Sequence, residues 1–348
     1  MTMVLGGPVF SHWVKDEFVF DLLSDQADIN AMLEFEIALA QAQGQHGIIP
    51  QRHASEIASF VNGFAPDMAA LANATARDGL AVPGLVAQIK DKLTPDMAKS
   101  FHFGATSQDV IDSSLMMRLT RVFEYFALQT HKLADDLDVL SEKWGNLPLM
   151  AVTRQRDALP MTIADRVKTW RQGVDVATKK MNAIITERLP VQLGGPIGRS
   201  DMADTIRADL AGVLALRDPG HAWHSTRDPI QTIGGALCAL TAALGKIGAD
   251  LGRMSQDGVR TATIAGGGSS AMAHKVNPVD TELLVALSSF AATMQGGLAQ
   301  ASVHEYERSG TSWTLEWLIL PQMVATSGAA LKAGRRLLGN VERLGQPD

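Results

Sequence analysis

One cysteine, Cys238, is present among 348 residues. A single thiol cannot close an internal disulfide or build a cysteine-based zinc cluster, and it fits a reducing, cytoplasmic setting. Positive charge is not in excess: 31 Lys and Arg face 37 Asp and Glu, for a net charge of −6. That balance lacks the basic patch or stripe of a nucleic-acid binder. No two histidines fall at ligand spacing on one predicted helix, so no metal is expected. From Met1 to Glu17 there is no basic stretch followed by an apolar one, so no secretory leader is expected. Alternating β-branched runs are nearly missing, and Val191-Gln192-Leu193 before Gly194-Gly195-Pro196 reads as a loop. Charge is missing from Leu283 to Val303, but Ser288, Ser289, Thr293, Gln295, Gln300 and Ser302 interrupt it. Lipid would leave those groups poorly satisfied, so this stretch is expected to be a helix buried among helices rather than a membrane span.

What is there is helix. Apolar residues recur at spacings of three and four through Ser24–Gln43, with Ile29, Leu33, Ile37 and Ala40 on one face. The same signal runs through Val110–Trp144 with no Gly or Pro. Further long helices are expected over Thr162–Leu189, Pro229–Val259, Pro278–Val303 and Ser312–Leu344. Segments this long far exceed the average helix of about 11–12 residues. They predict an all-α fold in which long near-parallel helices form a bundle. A smaller helical part over residues 1–105 precedes the bundle over 106–348. Aromatics are only 5% while Gly reaches 31 residues, a composition suited to close helix approach. Ile230–Leu244 is apolar almost all round, which predicts that partners cover the bundle and that the chain forms a homo-oligomer.

Three inter-helix segments have compositions that packing does not explain. In His102-Phe103-Gly104-Ala105-Thr106-Ser107-Gln108-Asp109, Thr106 and Asp109 form a capping pair that opens the longest helix. The start of a helix bearing two hydroxyls can seat a carboxylate. In Gly266-Gly267-Gly268-Ser269-Ser270-Ala271-Met272-Ala273-His274-Lys275-Val276-Asn277-Pro278, three glycines allow a close backbone approach and Lys275 adds a cation beside the next helix start. The order required of a phosphate-gripping P-loop is missing. The third, His304-Glu305-Tyr306-Glu307-Arg308, is followed by Trp313 and by Glu316-Trp317.

These residues carry a resemblance. The glycine–serine segment is similar to the GSSxMPxKxNP signature of the fumarase/aspartase superfamily, HFGATSQDVID resembles its first conserved region, and Gln192–Gly198 resembles its glycine-rich region. Ala158-Leu159-Pro160-Met161-Thr162, Trp223-His224-x-x-Arg227-Asp228, the Glu-x-Glu-Arg…Trp-x-x-Glu-Trp ending and the Ser24–Glu36 start look like the carboxymuconate cycloisomerase branch. The resemblance implies a cofactor-free homotetramer with active sites shared between subunits, acting on a small tricarboxylate. It implies that Ser269 handles the proton next to a substrate carboxylate, that Lys275 and Asn277 hold the carboxylate gaining charge, and that Thr106 and Ser107 seat another. Arg154, Arg227 and Arg308 are the candidate further cations. His102 is a candidate substrate contact, and His224 is either that or a local hydrogen-bonding group. His274 is read as a brace for the loop.

Departures from the pattern matter as well. Relatives that eliminate amines or water carry a histidine acid in Thr-His-x-Gln-x-Ala, whereas this chain reads Thr153-Arg154-Gln155-Arg156-Asp157-Ala158. Arginine stays protonated and cannot serve as an ordinary general acid. This suits ring closure by a carboxylate and disfavours an adenylosuccinate-lyase-like C–N lyase. Ala273 replaces the signature proline, and Arg156 a usual glutamine. The chain also stops where longer relatives continue into a small C-terminal domain. A non-catalytic helical scaffold is the remaining alternative.

Overall fold

The computed structural model describes residues 8–346. Seven helices come first: α1 (Pro8–Val14), α2 (Glu17–Leu22), α3 (Asp25–Gln45), α4 (Gln51–Asn62), α5 (Met68–Asp78), α6 (Ala81–Lys90) and α7 (Pro95–Ser100). Short polar residues divide them. Ser24, Asp67 and Thr94 each accept a hydrogen bond from the first turn of the helix they open. Gly79 closes α5 in the left-handed region.

The bundle follows. α8 (Ser107–Trp144) leads into a hairpin of β1 (Pro148–Thr153) and β2 (Arg156–Thr162), then α9 (Ile163–Glu187). A 3₁₀ turn at Gly195–Ile197 and α10 (Asp201–Val213) precede α11 (Asp228–Met254), β3 (Ala262–Ile264), α12 (Val279–Ala301), α13 (Gly310–Gly339) and β4 (Val341–Leu344). Side-chain pairings fix the helix directions. Asp112 of α8 meets Trp313 of α13 near their starts, and Asp136 meets Arg335 further on, so these two run parallel. Arg227, at the start of α11, joins that same end. Along α11 and α12, Gly234 faces Leu298 whereas Gly248 faces Leu284, so this pair is antiparallel. Asp250 meets Trp170, which sets α9 antiparallel to α11. The starts of α8, α11 and α13 therefore share one end of the bundle.

Small residues allow the close approach that the composition foreshadowed. A Cβ on Gly245 would lie 2.6 Å from that of Ser288. By length and composition α11 could cross a membrane, but it packs between α9, α12 and α13.

Most long helices stand where periodicity puts them, within a few residues. The segment before Thr162, to which the sequence assigned no element, is a β-hairpin. One expectation fails. The last helix ends at Gly339 rather than continuing to Leu344, because β4 leaves it to pair with β3.

Candidate functional site

The start of α8 is built on a buried carboxylate. Asp109 Oδ2 accepts the Thr106 N–H at 3.0 Å, completing the expected capping box, and the Gly195 N–H at 2.9 Å. Its Oδ1 accepts from the Gly194 N–H at 2.8 Å, from Gln192 at 3.1 Å, and faces His224 Nε2 at 3.1 Å. One aspartate thus ties the helix start to the glycine-rich loop. Gly195 (φ +68) approaches so closely that a Cβ would fall 2.8 Å from the Gly104 carbonyl oxygen.

Arg308 lies over this helix start. Its Nε donates to Gln108 Oε1 at 2.8 Å, and its Nη2 reaches Thr106 Oγ1 and the Pro196 carbonyl, each at 3.4 Å. It is half-buried and pairs with no carboxylate among the described residues, so its charge remains available beside Thr106 and Ser107. His102 sits just before, with backbone φ of 58°. Its Nδ1 is 2.6 Å from Glu36 Oε1. Burial opposes charge on the ring, but the adjacent Glu36 carboxylate outweighs it and lifts the pKa above the usual histidine value.

Two candidate substrate contacts, Arg227 and His224, are buried in this chain. The Arg227 side chain is 0% exposed and clamped between two carboxylates. Asp112 is engaged at 2.7 and 3.1 Å and Glu316 at 2.9 and 2.6 Å, while Trp223 stacks on the guanidinium at 4.6 Å. All its charge is spent inside the bundle. His224 is likewise buried beneath the glycine-rich loop; a Cβ on Gly198 would meet its ring at 2.9 Å. In this chain it braces Asp109 and faces no open space.

The signature loop occupies the other end of the bundle. Gly267 and Asn277 exchange backbone hydrogen bonds at 2.9 and 2.7 Å, pinning its base. Gly266 admits no side chain, because a Cβ would lie 2.2 Å from the Asn277 carbonyl oxygen. Behind the base, Asp280 of α12 pairs with Arg336 at 2.8 Å and accepts from Trp13 at 3.2 Å. Ser269 Oγ accepts the N–H groups of Ala271 and Met272 at 3.3 and 3.2 Å. These are the bonds of a serine turn, and they fix the orientation of the hydroxyl on the loop. Asn277 Nδ2 donates to the Gly268 carbonyl at 3.3 Å. Lys275 and His274 are exposed.

Arg154 is also exposed, at the turn of the β1–β2 hairpin. Arg154 and Gln155 have φ of 48° and 67°, the paired positive values of a two-residue hairpin turn usually given to Asn-Gly. This backbone is costly for such residues and holds Arg154 outward.

One chain therefore gathers His102, Thr106, Ser107 and Arg308 at one end. Ser269, Lys275, Asn277 and Arg154 lie at the other. The 27 residues of α11 separate the two ends by about 40 Å, at roughly 1.5 Å per residue.

The model of the family described as Lyase matches residues 14–293. The chain belongs to this lyase family. Its place is within the fumarase/aspartase superfamily. Over 338 residues it is 31% identical to the 3-carboxy-cis,cis-muconate cycloisomerase of Acinetobacter baylyi, covering 93% of this chain and 75% of the relative. It is 30% identical to the nitrosuccinate lyase of Streptomyces davaonensis, covering 91% of this chain and 70% of that one. The crystal structure of the 3-carboxy-cis,cis-muconate lactonizing enzyme from Pseudomonas putida superposes with a TM-score of 0.88 at 26% identity, covering 97% of this chain and 77% of that one. The chain spans about three quarters of the length of these relatives.

Sequence reasoning did not assign Gln108, Asp112, Glu36 and Glu316 as site supports. Asp112 and Glu316 both stand inside the quoted motif segments, but a charged residue on a helix reads as solvated until a partner is found. Glu36 lies 66 positions from its histidine, beyond any local pattern.

Proposed function

We propose that the chain is a cofactor-free cycloisomerase that converts 3-carboxy-cis,cis-muconate to 4-carboxymuconolactone in aromatic catabolism. The observation that carries the reading is Ser269, held as the acceptor of two backbone N–H groups in a pinned, glycine-bordered loop. The names of the relatives support it. In the proposed step a substrate carboxylate oxygen adds to a double bond, forming the C–O bond of the lactone. The displaced electron pair moves toward the carboxylate-bearing carbon, where Lys275 and Asn277 meet the developing charge. Ser269 donates its hydroxyl proton to that carbon, and solvent then reprotonates the serine oxygen, so that ring closure takes up one proton in all. Thr106, Ser107 and the start of α8 seat a second carboxylate, with Arg308, and His102 charged by Glu36, neutralising the rest.

No imidazole acid is needed, since a carboxylate adds without first losing a proton. Arg154 at the position of that acid is what favours ring closure over an adenylosuccinate-type elimination. The nitrosuccinate lyase relative keeps a lyase on a succinyl compound as the second reading.

In this reading the residues of the two bundle ends meet only between copies of the chain, in a soluble, cytoplasmic homotetramer without metal, membrane or nucleic-acid partner. The outward face of α12, with Val285, Ala286, Ser289, Ala292, Gly296 and Ala299 exposed and uncharged, suits such packing. The N-terminal part is residues 1–105 and the shared bundle 106–348. Loss of the diene ultraviolet absorbance on adding the protein to 3-carboxy-cis,cis-muconate tests the reaction. Folded protein that leaves the absorbance unchanged, yet releases fumarate from a succinyl compound, replaces it with the second reading.

A further inference from the structure

The root of the signature loop is gripped by groups from both ends of the chain. α12 begins at Val279, two residues after Asn277, and its first turn carries Asp280. This carboxylate is buried. Its Oδ2 accepts from Arg336 Nε at 2.8 Å, and its Oδ1 from Arg336 Nη2 at 2.5 Å and from Trp13 Nε1 at 3.2 Å. Arg336 stands in the last turn of α13, whereas Trp13 comes from α1, 267 positions before Asp280.

Each side of this contact is tied to something further. On the side of α1, Val14 is buried, Phe10 packs edge-on against Trp13 at 5.6 Å between ring centroids, and Lys332 of α13 donates to the Lys15 carbonyl at 2.7 Å. On the side of the loop, the Thr281 N–H and hydroxyl both donate to the Pro278 carbonyl, at 2.9 and 2.6 Å, and Asn277 exchanges backbone hydrogen bonds with Gly267. None of residues 266–279 is buried, so the buried anchor nearest to Asn277 is Asp280, less than one helical turn beyond it. A group that meets developing charge must be held within about 0.5 Å of its working position, and a donor to a buried carboxylate is among the stronger ways of holding it.

We propose that Trp13 is a positioning residue of the reaction. Acting through Asp280, it holds the first turn of α12 against α13 and so keeps Asn277 in place for the carboxylate that gains charge. The inference rests on the reading of Asn277 as a substrate contact, and it gives the N-terminal helix a part in catalysis.

Trp13→Phe, in the whole chain, keeps a ring against Phe10 and removes the donor. Hydrogen exchange followed by mass spectrometry reads the loop root without substrate, because the Gly267 and Asn277 amides exchange only when their pair opens. The expected result is about tenfold faster exchange over residues 266–281, the worth of one hydrogen bond to a charged group, with the α8 and α11 peptides unchanged. With 3-carboxy-cis,cis-muconate, kcat falls about tenfold while KM and the melting temperature hold, the mark of a contact that strengthens only as charge develops. In an Asp280→Ala background Trp13→Phe adds nothing, since its acceptor is already gone. Unchanged exchange over 266–281 in Trp13→Phe overturns the proposal, and so does an increase of the same size when Asp280 is already alanine. If Asp280→Ala does not fold, a Trp13→Phe protein with raised KM and unchanged kcat overturns it. A wild-type protein that leaves the muconate untouched removes the cycloisomerase reading, while the exchange result still decides whether Trp13 holds the loop root.

Discussion

Arg308 Nε donates to Gln108 Oε1 at 2.8 Å, and the amide nitrogen of that same glutamine donates to Asp112 at 3.2 Å and to the His224 carbonyl at 2.9 Å. Gln108 is fully buried, so its amide has one orientation that satisfies all three partners. The cation over the helix start is thus oriented from inside the bundle. Lysine has no fork to reach Gln108, Thr106 and Pro196 together. Arg308→Lys is expected to lower kcat/KM by about 10–100-fold, the worth of one or two hydrogen bonds to a charged group, with little change in melting temperature. Steady-state kinetics beside a thermal melt checks this. Unchanged kcat/KM removes Arg308 from substrate binding.

Arg227 behaves in the opposite way. It balances two buried carboxylates and touches nothing outside the bundle. Arg227→Met leaves Asp112 and Glu316 uncompensated and is expected to cost about 3–5 kcal/mol of stability. Adding Asp112→Leu and Glu316→Leu removes those buried charges and restores much of the loss. Denaturant unfolding of the single and triple variants decides. A stable Arg227→Met protein with raised KM would return Arg227 to the substrate.

The contrast between these arginines explains what the sequence could disclose. Both stand in motif-like segments, and both looked like free cations. Arg227 is neutralised by Asp112 and Glu316, 115 and 89 positions away, so only the tertiary fold reveals it as internal. Helix periodicity was readable because each long segment buries a stripe against neighbours, and α8 and α11 begin within three residues of their expected starts. The β1–β2 hairpin was not readable. Its turn uses Arg154-Gln155 where Asn-Gly would announce it, and Leu159 and Val152 are exposed in strands that bury little. The capping box at Thr106 and Asp109 was legible, being local. The second duty of Asp109, holding Gly194 and Gly195, was not.

His102 and Glu36 give a stability term with a defined sign. The folded pKa of His102 is raised by Glu36 against the effect of burial, so the folded state holds its proton to a higher pH than the unfolded chain, whose histidine titrates near 6.5. The stabilisation is complete below about pH 6.5 and fades as pH rises through the folded value. Glu36→Gln removes the charge that produces it. The stability gap between wild type and Glu36→Gln is expected to be largest near pH 6 and to shrink toward pH 9, read by urea unfolding across that range. A gap that grows with pH reverses the assignment.

Ser269→Ala is expected to cut the rate by several orders of magnitude while leaving folding intact, since the Ser269 hydroxyl bonds only to the exposed loop that carries it. Arg308→Ala removes a cation from the opposite bundle end, about 40 Å away along α11. If each site combines the two ends from different copies, neither variant alone is active. Refolding the two together, however, builds some sites in which both residues are intact. Mixing Ser269→Ala with Arg308→Ala after denaturation is therefore expected to recover a substantial part of wild-type activity, and mixing without subunit exchange to recover none. No recovery in oligomers shown by mass spectrometry to be mixed would mean that Ser269 and Arg308 serve no common substrate.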